Sequence, residues 1–162
     1  MTAVPGPIRI GREVEFKVRK EDWSKYEILD GEAIIWIRSV IVKIREIEMP
    51  PGSPPEARYI TSGTTLVATF FRNPQGSPTP EPLTPDDMRS GGVEVPSFTT
   101  LHEPWNEYLI SGTPAQILTT KCVATRIRVF RDRFNRFGEP MVVVESQTVI
   151  GRPRDARPEE LI

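Results

Sequence analysis

Two stretches of the chain are similar to each other: FKVRKEDWSKY at residues 16–26 and FTTLHEPWNEY at residues 98–108. Because the chain has only three tryptophans and three tyrosines, a matched pair of each is an unusual coincidence. We therefore interpret the stretches as copies in an internal repeat. At an offset of 82 the alignment matches Phe16 with Phe98, Glu21 with Glu103, Trp23 with Trp105 and Tyr26 with Tyr108.

The sequence around and after each copy predicts β-strands. Alternating apolar residues predict a strand over residues 13–19, and β-branched runs predict strands over residues 33–47, 64–71, 117–130 and 141–150. In each repeat we expect one strand, a helical turn that places the tryptophan and tyrosine on one face, and a long β-hairpin.

Proline-rich segments divide the chain. We expect one short helix in the connector, with Thr84 as its N-cap and Pro85 as its first residue. The predicted organisation is a first β repeat at residues 1–72, a proline-rich connector at 73–90, a second β repeat at 91–151 and a polar tail at 152–162.

The expected fold class is all-β with few short helices. A repeat of this size with one hydrophobic face is only marginally stable by itself, and its sheet edges must also be covered or closed. We therefore expect the two repeats to pack on each other as one domain, in a pseudo-two-fold β-barrel or sandwich that arose by internal duplication.

Composition excludes several classes of protein. The chain of 162 residues has a formal net charge of −1, one cysteine and one histidine, so it has neither an intrachain disulfide nor a Cys/His zinc site. We predict no metal and no cofactor. Since no apolar run reaches the roughly 18–20 residues of a membrane span and no secretory pattern begins the chain, we expect a cytoplasmic protein without a membrane partner.

A basic segment at residues 121–137 is the first candidate site. It holds six lysines and arginines against one acid, Asp132, with phenylalanines between them. Alternation along the strand predicts that Arg126 and Arg128 form a solvent-facing stripe. Such a hairpin suits a protein partner, single-stranded nucleic acid or another polyanion, or simple solvation. The candidate partner-binding residues are Arg126, Arg128, Arg131, Arg133, Phe134 and Arg136.

The repeated Glu-x-Trp-x-x-Tyr pattern is the second candidate, a pocket for a small molecule or for catalysis between the repeats. The same residues also suit a structural role, with aromatic rings closing the ends of the fold and each glutamate paired to a neighbour. An acid–base pair of His102 with Glu103 is weakened because adjacent strand residues face opposite sides. The candidate pocket residues are Glu21, Trp23, Tyr26, His102, Glu103, Trp105 and Tyr108.

No set of residues converges on a known catalytic pattern, and we assign no catalytic residue. Cys122 lies in a β-rich run and is predicted to be buried and inert. The leading hypothesis is a non-catalytic binding or assembly module that contacts a protein partner through the basic hairpin, rather than an enzyme.

Overall fold

The computed structural model describes residues 11–73 and 76–161. Parts of the predicted first repeat, connector and tail, at residues 1–10, 74–75 and 162, lie outside this range. The structure is 56% strand and 11% helical, which confirms the prediction of a mostly β protein. Its strands form two antiparallel sheets, and no closed barrel is found among the described residues.

Eleven strands make up the described part of the two sheets. The first sheet contains β1 (Arg12–Val14), β3 (Ser24–Ile28), β4 (Ala33–Glu46), β5 (Tyr59–Phe71) and β7 (Thr99–His102). The second contains β2 (Phe16–Lys20), β6 (Val93–Glu94), β8 (Asn106–Ile110), β9 (Gln116–Phe134), β10 (Pro140–Ile150) and β11 (Arg154–Asp155).

One long strand lies at the centre of each sheet. In the first sheet β4 pairs with β5 along one side and with β3 and β1 along the other. In the second sheet β9 pairs with β10 and β11 on one side and with β8 and β6 on the other. The bounds of β4 and β9 lie close to those of the strands predicted at residues 33–47 and 117–130. Strand β5, in contrast, begins five residues before its predicted start at Thr64.

The halves of the chain exchange one strand each. The early strand β2 pairs with β8 in the second sheet, and the late strand β7 pairs with β3 in the first. Val18 lies opposite Tyr108, and Thr100 lies opposite Tyr26, so the two exchanged pairs have the same register at the offset of 82. Neither sheet can therefore complete itself from one half of the chain.

The core lies between the two sheets. On β4 the buried residues alternate with half-exposed ones, the pattern of a strand with one inward face. Each of two core clusters takes residues from both sheets, so the sheets pack face to face. The first cluster is Tyr26, Ile28, Ala33, Ile35, Ile37, Val95, Cys122, Ala124, Ile127 and Val129, and the second is Val14, Ile41, Ile44, Tyr59, Tyr108, Ile110 and Leu118.

Two local predictions are wrong. The single strand expected over residues 13–19 is broken at Glu15, because the residues up to Val14 pair with β4 in the first sheet and those from Phe16 pair with β8 in the second. The helical turn expected in each repeat is instead a strand, β3 or β8. In both strands burial alternates with a period of two, which puts each tyrosine in the core.

The predicted short helix is confirmed as α1 (Pro85–Ser90). The Thr84 hydroxyl accepts a hydrogen bond from the Asp87 backbone N–H at 3.1 Å, and the Asp87 carboxylate accepts one from the Thr84 N–H at 3.0 Å. This reciprocal capping box satisfies two amide donors at the start of the helix. Within the described ranges, no helix has the length and apolar character needed to cross a membrane.

The C-terminal tail is docked by one carboxylate. Glu160 is 8% exposed and accepts hydrogen bonds from the Arg154 guanidinium at 2.6 and 2.7 Å and from Arg19 at 2.7 Å. The Arg157 backbone N–H donates a further bond at 2.9 Å. These donors, Arg154 first, hold the pKa of Glu160 well below its ordinary value.

We expect Glu160→Gln to destabilise the protein at neutral pH, by an amount that shrinks as the pH falls below about 4. The folded state lowers the pKa of Glu160 below the value of about 4.3 for an unfolded chain. Its contribution to stability is therefore present above that pH and is lost as the pH falls through the folded-state pKa. The difference between the thermal unfolding midpoints of wild type and variant should be constant above about pH 5 and should narrow steadily as the pH is lowered below about 4, whereas Glu159→Gln, an exposed neighbour, should show no such narrowing.

Candidate binding surfaces

Three arginines of the predicted basic hairpin are paired with acids from elsewhere in the fold. Arg126 lies 3.2 Å from Glu94, and Arg131 lies 3.1 Å from Glu32. Arg133 lies 3.7 Å from Asp87. The positive charge seen in the sequence of residues 121–137 is therefore largely compensated by carboxylates that come from distant segments.

Arg128 is buried, so the prediction that it belongs to a solvent-facing stripe is wrong. The residue is 1% exposed. Its guanidinium donates hydrogen bonds to the backbone carbonyls of Asp87 at 3.1 Å, Gly91 at 2.5 Å and Met88. The α1 segment covers this side of β9, and a cation at the C-terminal end of a helix is favoured by the helix dipole.

Two phenylalanines at the end of the β9–β10 hairpin differ in exposure. Phe134 is half-buried, and its backbone N–H donates to the Thr79 hydroxyl of the connector at 2.9 Å. Phe137 is 64% exposed, with the Arg136 guanidinium 5.1 Å from the centre of its ring. We call Arg136 and Phe137 the hairpin tip, since both are exposed and lie in the turn between β9 and β10.

The repeated glutamates and tyrosines form two reciprocal clusters. The Tyr108 hydroxyl donates to Glu21 at 2.8 Å, and the Tyr26 hydroxyl donates to Glu103 at 2.6 Å. Each bond joins the glutamate of one half to the tyrosine of the other. A cation completes each cluster: Arg38 lies 3.2 Å from Glu21, and Lys121 lies 3.9 Å from Glu103.

Burial and the neighbouring carboxylate keep the two tyrosines protonated. Desolvation is the main cause that raises the pKa of both Tyr26 and Tyr108 far above the ordinary value, and the bonded glutamate adds to it. The Tyr26 hydroxyl also accepts a hydrogen bond from the Ala124 N–H at 3.0 Å. Both hydroxyls are thus fixed donors to glutamates, an arrangement that ties the halves of the fold together.

The other predicted pocket residues lie at the margins of these clusters. The His102 Nε2 atom is 3.5 Å from the Asp22 carboxylate. The pKa of Asp22 is lowered mainly by the hydrogen bond from the Trp23 backbone N–H, and His102 lowers it further. Trp105 is 42% exposed, and the Lys121 ammonium lies 4.7 Å from its ring centre. The histidine is therefore placed beside Asp22, which the sequence reasoning had not considered.

An outward-facing group of aromatic residues on the first sheet was missed by the sequence reasoning. The Trp36 ring centre lies 5.9 Å from that of Trp23 and 4.9 Å from that of Phe70. The Lys25 ammonium lies 4.2 Å from the Trp36 ring centre, and the Arg38 guanidinium carbon lies 5.9 Å from that of Trp23. We call these five residues the aromatic face.

The aromatic face lies on the side of the sheet that points away from the core. Trp36 alternates on β4 with the buried residues Ile35 and Ile37. Phe70 is 48% exposed, and its neighbour Leu66 on the same side of β5 is 46% exposed. A signal was present in the sequence, because β4 is apolar on both faces, whereas the outer face of a solvated antiparallel sheet is ordinarily polar.

Other features of the described chain offer little chemistry. Cys122 is buried as predicted, and burial raises the pKa of its thiol. A polar depression of about 170 Å³ lies beside Arg58, and another of about 320 Å³ lies beside Ser39. Neither is lined by any predicted pocket residue. Over residues 11–73 and 76–161, no group of three or more histidines, cysteines and acids is arranged to hold a metal ion.

Comparison of the chain with protein-family models, with curated proteins and with solved structures finds no match.

Proposed function

We propose that the protein is a non-catalytic binding module that contacts a protein partner through the aromatic face and the hairpin tip. The observation that carries this proposal is the row of Trp23, Trp36 and Phe70 on the outside of the first sheet. The turn that carries the hairpin tip reaches the end of β5, where Glu139 accepts a hydrogen bond from the Phe71 N–H at 2.9 Å.

The chemistry of this surface favours a protein partner. Phe70 is exposed, and Trp23 and Trp36 are half-buried. Aromatic rings and arginine are the residue types that dominate the energy of protein interfaces. Apolar residues that cluster on a surface, rather than occurring singly, mark interaction sites. The flanking cations Lys25 and Arg38 lie against tryptophan rings, which suits a rim that is partly desolvated in a complex.

Binding of single-stranded nucleic acid is the competing function. Aromatic residues on an open sheet can stack bases. The pairing of Arg126, Arg131 and Arg133 with carboxylates argues against it, because little uncompensated charge is left on the hairpin to neutralise phosphates. A protein partner therefore fits the charge distribution better.

We expect Trp36→Ala to weaken partner binding by about tenfold, because truncation of a contributing interface residue commonly raises the dissociation constant by about this factor. The measurement is quantitative affinity capture from extracts of the source cells, followed by titration of the captured partner. Trp105→Ala is the matched control, since it removes an exposed tryptophan that lies outside the aromatic face, just before β8. Circular dichroism would verify that both variants are folded.

Two outcomes would contradict the proposal. In one, Trp36→Ala and Trp105→Ala bind the partner equally well. In the other, capture is abolished by nuclease and falls steeply with salt, which would establish nucleic acid as the ligand.

We also propose that the two halves arose by internal duplication, giving a pseudo-two-fold sandwich. The repeat offset of 82, the shared register of the exchanged strands and the reciprocal tyrosine–glutamate bonds support this origin. Arg38 on β4 and Lys121 on β9 are the equivalent cations of the two clusters, and they are 83 residues apart. The offset rises from 82 to 83 because the turn before β9 is one residue longer than the turn before β4.

A further inference from the structure

Strand β5 is a long edge strand without charge. It spans the thirteen residues Tyr59–Phe71, and its one pairing partner among the described strands is β4. The sequence YITSGTTLVATFF contains no acidic, basic or proline residue. Its residues from Ser62 to Val67 are all exposed, so both faces of the central segment are open.

The other edges carry features that oppose pairing with another chain. Strand β7, the opposite edge of the first sheet, has only four residues and a register shift in its pairing with β3. Strand β2 holds Lys17, Arg19 and Lys20, and two such strands would repel each other. Strand β10 begins with Pro140 and is irregular after Glu145. Charge, proline and bulges are the devices by which natural sheets protect their edges. Strand β5 lacks the first two, and so it is the edge best suited to pairing.

The free backbone groups of β5 can be assigned from its C-terminal end. The Arg72 N–H donates to the Glu32 carbonyl, toward β4, whereas the Phe71 N–H donates to Glu139, away from β4. Backbone groups alternate in direction along an antiparallel strand. The N–H and C=O groups of Thr69, Val67 and Thr65 therefore also point away from β4, toward the open edge.

We propose that β5 pairs antiparallel with β5 of a second copy of this chain, across a two-fold axis at Thr65. This register places the outward backbone groups of Val67 opposite those of Gly63, and it places Phe70 opposite Ile60. Ile60 and Phe70 are 51% and 48% exposed, so the pairing covers two apolar side chains at each end. A strand paired with its own copy in this way forms a closed two-fold dimer.

Charge favours a second copy as the occupant. When a strand pairs with its own copy, any charge that it carries meets the same charges on the second copy. Like charges directly opposite one another destabilise a sheet. Strand β5 has no charge to repel its copy. Just outside the strand, Arg58 is held by Glu46 at 2.7 Å, which reduces its repulsion with Arg72 of the second copy. The dimer also joins the two first sheets into one, with both aromatic faces outward.

The first test is the oligomeric state of the purified chain by sedimentation equilibrium. We expect a dimer whose dissociation constant rises at least tenfold in Thr65→Lys, because two ammonium groups would then meet at the axis. Val149→Lys is the matched control on the other long edge strand, β10, and should leave the dimer intact. Mass action favours a dimer at high chain concentration, so a wild-type chain that remains monomeric at about 100 μM overturns the proposal.

The second test fixes the register. In Thr65→Cys the two introduced thiols face each other across a Cα separation of about 5.5 Å, which a disulfide spans. We expect rapid disulfide-linked dimers from Thr65→Cys and few from Val67→Cys, whose equivalent residues lie apart along the strands. Equal cross-linking of both variants overturns the register. Trp36→Ala should keep the dimer, so failure here is distinguishable from failure of the proposed partner surface.

Discussion

Replacing Arg128 with alanine is expected to lower the free energy of unfolding by about 3 kcal/mol, because its hydrogen bonds to carbonyls in the α1 segment are lost. The side chain is 1% exposed and donates to Asp87, Met88 and Gly91. Truncation removes these donors and leaves a space beneath the helix. Urea denaturation followed by circular dichroism would measure the change.

Two further variants separate the causes of this loss. Arg126→Ala lies on the same strand but removes a 40% exposed side chain paired with Glu94, and it should lose less than about 1 kcal/mol. Arg128→Met keeps much of the side-chain volume but donates no hydrogen bond. If Arg128→Met were as stable as wild type, packing alone would explain the role of Arg128, and our account of its hydrogen bonds would be wrong.

The local elements were predictable where short-range chemistry determines them. The α1 helix follows from Thr84 and Pro85, since the cap and the first residue act within one turn. The core face of β4 follows from its period of two. The break at Glu15 was not predictable, because the alternation of Val14, Phe16 and Val18 is the same whether or not the chain changes sheets there.

The arginine hairpin shows why charge in a sequence is a poor guide to charge on a surface. The partners of Arg126, Arg131 and Arg133 come from segments that are distant in sequence. The segment that covers Arg128 lies about forty residues before it. Alternation along a strand says which residues share a face, but it does not say whether another segment covers that face.

The similarity of the two sequence stretches identified the residues of the tyrosine–glutamate clusters, although not their pairing. Within one stretch Glu21 and Tyr26 are five residues apart, and the sequence predicted only that each glutamate pairs with a neighbour. The exchange of β2 and β7 between sheets instead brings Glu21 to Tyr108 and Glu103 to Tyr26. Pairing across the halves is a property of sheet topology, which a comparison of the two copies does not contain.

The double substitution Tyr26→Phe with Tyr108→Phe is expected to lower the free energy of unfolding by about 4 kcal/mol, about 2 kcal/mol for each hydrogen bond to a charged acceptor. Each ring remains to fill the core, and only the hydroxyl is removed. Glu21 and Glu103 then lose their tyrosine donors, and the Ala124 N–H loses its acceptor. Chemical denaturation of both single variants and the double variant gives the three values.

Additivity is the stricter part of this prediction. Tyr26 and Tyr108 belong to different core clusters and bond to different glutamates, so the two losses should sum to within about 0.5 kcal/mol. Tyr59→Phe is the control for removing a tyrosine hydroxyl, since its partner is the neutral amide of Gln116, and it should lose only about 1 kcal/mol. If all three single variants lose equally little, the reciprocal bonds do not hold the halves together. The exchanged strands alone must then do so.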